Sequence, residues 1–321
     1  MSLRGLPIEQ VIERALGGDR RAIGRLLSVV ERGGPEAESI ESASHARSHV
    51  AHAIGITGAP GAGKSTMVAR LVGAFSAGNR SPAVVAVDPS SPLTGGAILG
   101  DRVRMAEVDT TAFIRSVATR GHSGGLALSV PGSARVLAAA GFDPVIIETV
   151  GVGQVEVDVT AAADTTVVVV TPGMGDAVQA NKAGLLEVAD IFVVNKSDLP
   201  GAPDARRDLE LMLELSHVTG HEDADRRPPI VMVDSLEGSG IEELRSEIEA
   251  HREYLIASDR LAARRRARAH YEMRTRAELA FDAHLDDRFG ADEVRAAVDA
   301  VVDGRETPTT ASRKLWQPDA R

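Results

Sequence analysis

The chain has 321 residues, a formal net charge of -10, and 43% hydrophobic against 26% charged residues. This length allows one large domain with helical additions, or two domains. The absence of cysteine excludes disulfides, thiolate nucleophiles, iron–sulfur clusters and cysteine-based zinc sites. The acidic balance argues against a nucleic-acid partner, which would need a basic footprint. No apolar run approaches the ~18–20 residues of a membrane span. Residues 1–10 include Arg4, Pro7 and Glu9 and hold no apolar signal-peptide core, so a cytoplasmic location is expected.

Residues 5–32 carry apolar side chains at helical spacing: Leu6, Ile8, Val11, Ile12, Ala15 and Leu16, then Ala22, Ile23, Leu26, Leu27 and Val30. Gly17 and Gly18 divide this pattern into two helices, with Asp19 as N-cap of the second. Residues 33–49 read as a linker, so 1–50 is predicted to be a helical extension outside any sheet. From residue 52 short apolar runs alternate with helical stretches. The predicted strands are 53–57, 83–87, 113–118, 144–147, 166–170, 191–194 and 230–233. The predicted helices are 64–76, 126–140, 176–188, 205–215 and 241–250. Such alternation implies right-handed crossovers, a mostly parallel sheet and a three-layer α/β domain over 51–251. Beyond it, 252–321 is predicted to be helical: one long helix over 252–288 ended by Gly290, then a further helix over 294–302. The arginines between Arg260 and Arg276 alternate with Asp259, Glu272 and Glu278, which reads as a solvated helix offering an apolar seam to a partner.

Three motifs carry chemistry. Gly58, Ala59, Pro60, Gly61, Ala62, Gly63, Lys64 and Ser65 form a complete G-x-x-x-x-G-K-S loop between a predicted strand and a predicted helix. Its backbone N–H groups and the helix N-terminus suit phosphate, with Lys64 reaching the β- and γ-phosphates and Ser65 ligating Mg²⁺. Asn195, Lys196, Ser197 and Asp198 follow the strand 191–194. A carboxylate there accepts from both N1–H and the exocyclic amine of guanine. Adenine lacks that donor pair, and such a site discriminates by up to ~10⁴-fold. Glu148 ends the strand 144–147 in an E-x-x-G string closed by Gly151, where a Mg²⁺-associated carboxylate and a γ-phosphate N–H are expected.

Further candidates depend on position. Asp88 opens a Gly- and Ser-rich loop, and Asp88 and Asp101 are candidates for Mg²⁺ or the attacking water. Arg102 or Arg104 could meet transition-state charge. Ser235, Leu236 and Glu237 follow the strand 230–233 and could offer backbone groups to guanine. His45, His49 and His52 lie in or beside the linker and are expected on the surface. No glutamine directly follows Gly151; Gln154 lies three positions on, so slow intrinsic hydrolysis is expected until a partner orders the loops.

Together, the phosphate loop, Asp88-Pro-Ser-Ser, the string from Thr94 to Asp101, Arg104 with Met105, the string from Glu148 to Gln154, and Asn195 to Asp198 resemble the MeaB/ArgK family. Its members are P-loop GTPases, formerly described as lysine/arginine/ornithine transport ATPases and understood as chaperones of cobalamin-dependent methylmalonyl-CoA mutase. The resemblance implies GTP/GDP held by Gly61 to Thr66, Mg²⁺ held by Ser65, Asp101 and Glu148, and guanine read by Asn195, Lys196 and Asp198. It implies a further switch from Pro172 to Asp176 and on through Gln179 and Lys182; this chain has Ala183 where relatives often carry a second lysine. It also implies a C-terminal dimerisation arm, a homodimer, and a cobalamin-dependent acyl-CoA mutase as partner. The residues alone leave two alternatives: a metallochaperone-type GTPase, or a P-loop kinase with another partner.

Overall fold

The structure, a computed structural model, describes residues 5–48, 51–88, 112–118, 123–149, 162–173, 188–218 and 226–316. It divides into two compact units, Met1–Ala269 and His270–Arg321. In chain order the first unit opens with helices α1 (Ile8–Leu16), α2 (Arg20–Arg32) and α3 (Pro35–His45). Strand β1 (Ala53–Gly58), helix α4 (Lys64–Ala77) and strands β2 (Ala83–Asp88) and β3 (Phe113–Ala118) follow. Then come α5 (Ser123–Ala139), β4 (Val145–Thr149), β5 (Thr165–Val170), β6 (Ile191–Asn195), α6 (Ala202–Val218), β7 (Ile230–Val233) and α7 (Ile241–Ala257). Helix α8 (Arg260–Val302) continues into the second unit, which ends with α9 (Pro308–Trp316).

All seven strands are parallel, in the order β3-β2-β4-β1-β5-β6-β7. The strands are β-branched because both sheet faces are covered, and the two-residue strand period sorts each side chain to one layer. Ile54, Ile56, Val84, Ile146, Val167, Val169, Ile191 and Val193 join Met67, Leu71 and Phe75 of α4 and Leu244 and Ile248 of α7 in one apolar cluster. On the opposite face Ala83, Val85 and Val145 meet α1–α3 and α5. Beside them Val168, Val170, Phe192 and Val194 meet Leu209 and Leu213 of α6. The expected three-layer α/β architecture is therefore present. Among the described residues, no helix is long and apolar enough to cross a membrane.

Four expectations need correction. The stretch 33–49 contains a helix, α3, rather than only linker. Its proline stands in the first turn, where its missing N–H costs no hydrogen bond, and Ile40 anchors it in the core. The long C-terminal helix breaks earlier than expected, at Ser258 and Asp259, where Asp259 has φ +58°. It then passes through Gly290 as the single 43-residue α8. One glycine costs a helix interior only ~1 kcal/mol, which neighbouring turns absorb.

His52 is buried, not superficial: it is 3% exposed, and its Nε2 lies 2.7 Å from Thr165 Oγ1. Nor are the arginines of α8 simply solvated. Arg264 forks onto Asp190 at 2.6 and 2.7 Å, Arg265 meets Asp164 at 3.2 Å, and Arg268 bonds both Asp164 and the Ala162 carbonyl. The N-terminal helices stay out of the sheet, as expected, but they cover its β3 edge. The Arg20 guanidinium stacks 5.3 Å from the Phe113 ring centroid, and Arg115 bonds Glu31 at 2.8 Å.

Candidate active site

β1 lies in the middle of the sheet, and the chain leaves it toward β2 on one side and later returns to β5 on the other. Crevices at the carboxyl ends of strands open where connections diverge in this way. The loop from Gly58 to Gly63 occupies that position. Gly58 has φ +141°, and a Cβ there would lie 2.1 Å from the Val169 carbonyl oxygen. Gly63 has φ +85°, and a Cβ would lie 2.4 Å from Asn195 Nδ2. Only glycine fits either place.

Lys64 starts α4 and is 5% exposed; its ammonium donates to the Gly58 carbonyl at 2.6 Å and the Ala59 carbonyl at 3.0 Å. The cation is thereby held across the loop beside the helix N-terminus, where both fields favour an anion. Ser65 donates to Glu148 Oε1 at 2.6 Å. Glu148 is 1% exposed, and parallel pairing sets it in register with Ile56. A hydroxyl and a carboxylate meeting there form an oxygen-only donor set that fits Mg²⁺, a hard cation. Behind them Thr149 donates to Thr57 Oγ1 at 3.3 Å, a buried pair that lacked a sequence signal beyond its place next to Glu148.

On the other side of β1, Asn195 closes β6 and is 1% exposed. Its Nδ2 donates to the Ala62 carbonyl at 2.7 Å, and its Oδ1 accepts from Ser235 Oγ at 2.6 Å. One amide therefore ties the phosphate loop to the loop after β7. Lys196, at φ +58°, and Asp198 are exposed, while the Ser197 N–H bonds the Val233 carbonyl at 3.1 Å. Ser235 is buried, and Leu236 and Glu237 are exposed. Asp234, which no sequence motif marks, accepts the N–H groups of Leu236 and Glu237 on one oxygen at 2.9 and 3.2 Å.

The structure therefore brings Gly58 to Thr66, Glu148, Asn195 to Asp198 and Ser235 to Glu237 to one edge of the sheet. Asp88 closes β2 in register with Ala118. Asp101, Gly151 and Gln154 lie outside the described residues, as do Arg102, Arg104, residues 176–187 of the predicted helix 176–188, Gln179 and Lys182.

A lysine-bearing anion loop on the central strand, with a serine–carboxylate pair beside it, handles phosphate esters. Carried by a three-layer parallel sheet, it defines a P-loop nucleoside triphosphate hydrolase. The sequence profile of the methylmalonyl Co-A mutase-associated GTPase MeaB family matches residues 23–290. The chain belongs to that family and is a GTPase. It is 45% identical over 271 residues to a GTPase-named protein of Pyrococcus horikoshii, covering 84% of this chain and 85% of that one. A fused isobutyryl-CoA mutase of Cupriavidus metallidurans is 36% identical over 223 residues, which are 68% of this chain and 20% of that one. The crystal structure of an LAO/AO transport system kinase superposes with a TM-score of 0.72 at 26% identity, covering 99% of both chains.

Proposed function

We propose that this GTPase is Mg²⁺-dependent and serves a cobalamin-dependent acyl-CoA mutase of the methylmalonyl-CoA mutase type, which it assembles, protects or reactivates. The carrying observation is the Cupriavidus relative, a mutase by name whose much longer chain contains a segment homologous to most of this one. The family description, which pairs a GTPase with a mutase, supports the same reading. Two copies pairing through the C-terminal helices over 252–321, in the cytoplasm, complete the proposal.

In the proposed reaction, the N–H groups from Gly61 to Thr66 and the Lys64 ammonium hold the phosphates, and water attacks the γ-phosphate in line. Ser65, Glu148 and Asp101 would hold Mg²⁺, which when bound neutralises charge on the β- and γ-phosphate oxygens. Asp198 reads N1–H and the exocyclic amine of guanine, with Lys196 alongside and Asn195 bracing the loop. Ser235, Leu236 and Glu237 offer backbone groups to the base. Gly151 gives its N–H to the γ-phosphate, and Asp88 or Asp101 serves the attacking water. Without a glutamine next to Gly151, intrinsic turnover is slow until the partner orders these loops.

Turnover of GTP and ATP, measured with and without the host's cobalamin-dependent acyl-CoA mutase, tests this. Stimulation of GTP hydrolysis alone is expected. GTP hydrolysis indifferent to every such mutase removes the proposed partner while leaving the enzyme class standing.

A further inference from the structure

The phosphate loop is bracketed by two hydroxyls: Thr57 directly before Gly58, and Ser65 directly after Lys64. Both reach the end of β4, and they reach consecutive residues of it. Ser65 donates to Glu148 at 2.6 Å, and the Thr149 hydroxyl is shared between Thr57 Oγ1 at 3.3 Å and the Ile56 carbonyl at 3.5 Å. Side chains alternate along a strand, so Glu148 and Thr149 point to opposite faces of the sheet. The end of β4 is therefore gripped on both faces, by the two ends of one loop. The register between β1 and β4 ends at Ile56 with Glu148, whereas that between β1 and β5 runs on to Gly58 with Val169. Past Glu148, the Thr149 side chain extends the attachment of β4 to β1. Thr57 and Thr149 are both 0% exposed. Valine has the same shape and would fill either place without a polar atom, whereas a buried hydroxyl needs a bond to offset its desolvation.

We infer that Thr149 is a positioning residue for the metal site: its hydroxyl, anchored on Thr57, holds the strand end from which Glu148 presents its carboxylate to Ser65. This inference rests on the Mg²⁺ reading proposed above. A carboxylate at a strand end moves with the strand, so any tilt of β4 carries it away from Ser65. Mg²⁺ takes oxygen ligands at about 2.0–2.1 Å in near-ideal octahedral geometry, whereas Ca²⁺ accepts longer and more flexible coordination. A ligand for so demanding an ion has to be held to within roughly 0.5 Å. Freed on one face, β4 still delivers a carboxylate, but not one fixed to that tolerance. Loss of the Thr149 hydroxyl is therefore felt by Mg²⁺ and not by Ca²⁺.

The test is calorimetric titration of Mg²⁺ and, separately, of Ca²⁺ into the full-length protein saturated with GDP, stripped of metal by EDTA and exchanged into metal-free buffer. The variants are Thr149→Val, Thr149→Ser and Thr57→Val, with Glu148→Gln as the reference for the metal site. Thr165→Val is the control: it removes another fully buried hydroxyl, bonded to His52 and His251 at the amino end of β5. Thr149→Val should bind Mg²⁺ about tenfold more weakly, the lower end of what groups that orient a metal ligand are worth. Its Ca²⁺ affinity, and its GDP affinity in EDTA, should hold. Thr149→Ser keeps the donor and should restore Mg²⁺ binding. Thr57→Val leaves Thr149 the Ile56 carbonyl and should fall between. Thr165→Val should match wild type for both ions. Should Thr149→Val fail to fold, Thr57→Val carries the test, and a Mg²⁺ affinity in it equal to wild type overturns the inference. An unchanged Mg²⁺ affinity in Thr149→Val, an equal loss for both ions, or the same loss in Thr165→Val does so too. A Glu148→Gln variant that binds Mg²⁺ as tightly as wild type removes the metal reading itself, and this inference with it.

Discussion

Asn195 donates to the phosphate loop and accepts from the base loop, so its amide does two jobs that no charged side chain could do at once. An aspartate would offer Ala62 only a second acceptor, and a lysine would offer Ser235 only a donor. The neighbouring Asp198 is exposed, as a group that must meet an incoming base has to be. Replacing it by asparagine exchanges two acceptor oxygens for one acceptor and one donor. Xanthine carries a 2-oxo group where guanine carries an amine, so Asp198→Asn is expected to favour XTP over GTP. The kcat/KM for GTP should fall by roughly 10²-fold or more, since an amide donor then faces a donor of the base. Parallel turnover assays with both nucleotides check this, and an unchanged preference would remove guanine reading from Asp198. The residue type and its place after a strand were legible in the four-residue string. The bridge made by Asn195 was not, because it depends on β6 and β7 lying in register beside the loop that follows β1.

The seven strands were legible as elements because strands covered on both faces must be apolar throughout, and such runs stand out against turn residues. Helix α3 was not, since apart from small residues it has one apolar anchor, Ile40, and begins with a proline that resembles a breaker. The chain-distant network at the amino ends of the strands was equally hidden. Thr165 bonds His52 on one side and His251 Nδ1 at 2.8 Å on the other, and His251 Nε2 lies 3.3 Å from Asp190. Nothing in the short sequence around His52 announces partners 113 residues away. The network has a measurable consequence. Burial pushes the His52 imidazole from its ordinary 6.5 down to about 3, against the pull of Asp164. Burial alone would raise Asp190, but its bonds from His251 and Arg264 bring it down to about 2. In both cases the unfolded chain takes up the proton first, so stability is full above the unfolded value and declines as pH falls. His52 acts from about pH 6.5 downward, at up to ~1.4 kcal/mol per pH unit, and Asp190 adds its share below about pH 4. Urea midpoints measured from pH 4 to 7 should fall with acid in the wild type. They should fall with a slope shallower by up to one proton in His52→Gln, which keeps a hydrogen-bonding group without the titration. Equal slopes would show that His52 is not held neutral in the fold.

At the scale of the molecule, the two ends of the chain make opposite demands on the nucleotide-binding unit. The helices α1–α3 are part of its core: Val11, Ile23, Leu26, Leu27 and Ile40 are each at most 1% exposed and share a cluster with Phe113, Val85 and Val145. Stripping residues 5–48 would return five such side chains' worth of burial to water, at ~1.5–3 kcal/mol each. The faces of α5 and β3 they cover would be bared as well. That loss matches or exceeds the ~5–15 kcal/mol by which a domain of ordinary stability stays folded. The far end differs. The unit Met1–Ala269 already contains Leu255 in its interior and the arginines Arg264, Arg265 and Arg268 that bind Asp164 and Asp190. From His270 onward lies a second unit, in which Ala300 and Ala311 are buried. It exposes Val294, Val298 and Val302 at helical spacing, an apolar stripe consistent with the proposed pairing of two copies. A chain ending at Ala269 should therefore bind GDP with near wild-type affinity and unfold within a few degrees of the intact protein. By light scattering it should be a monomer, whereas the intact chain is expected to be a dimer. A chain beginning at residue 49 should show neither GDP binding nor a cooperative thermal transition. If the chain ending at Ala269 unfolded as well, the helices beyond it would be part of the nucleotide-binding core. If it remained a dimer, the pairing surface would lie within the first unit.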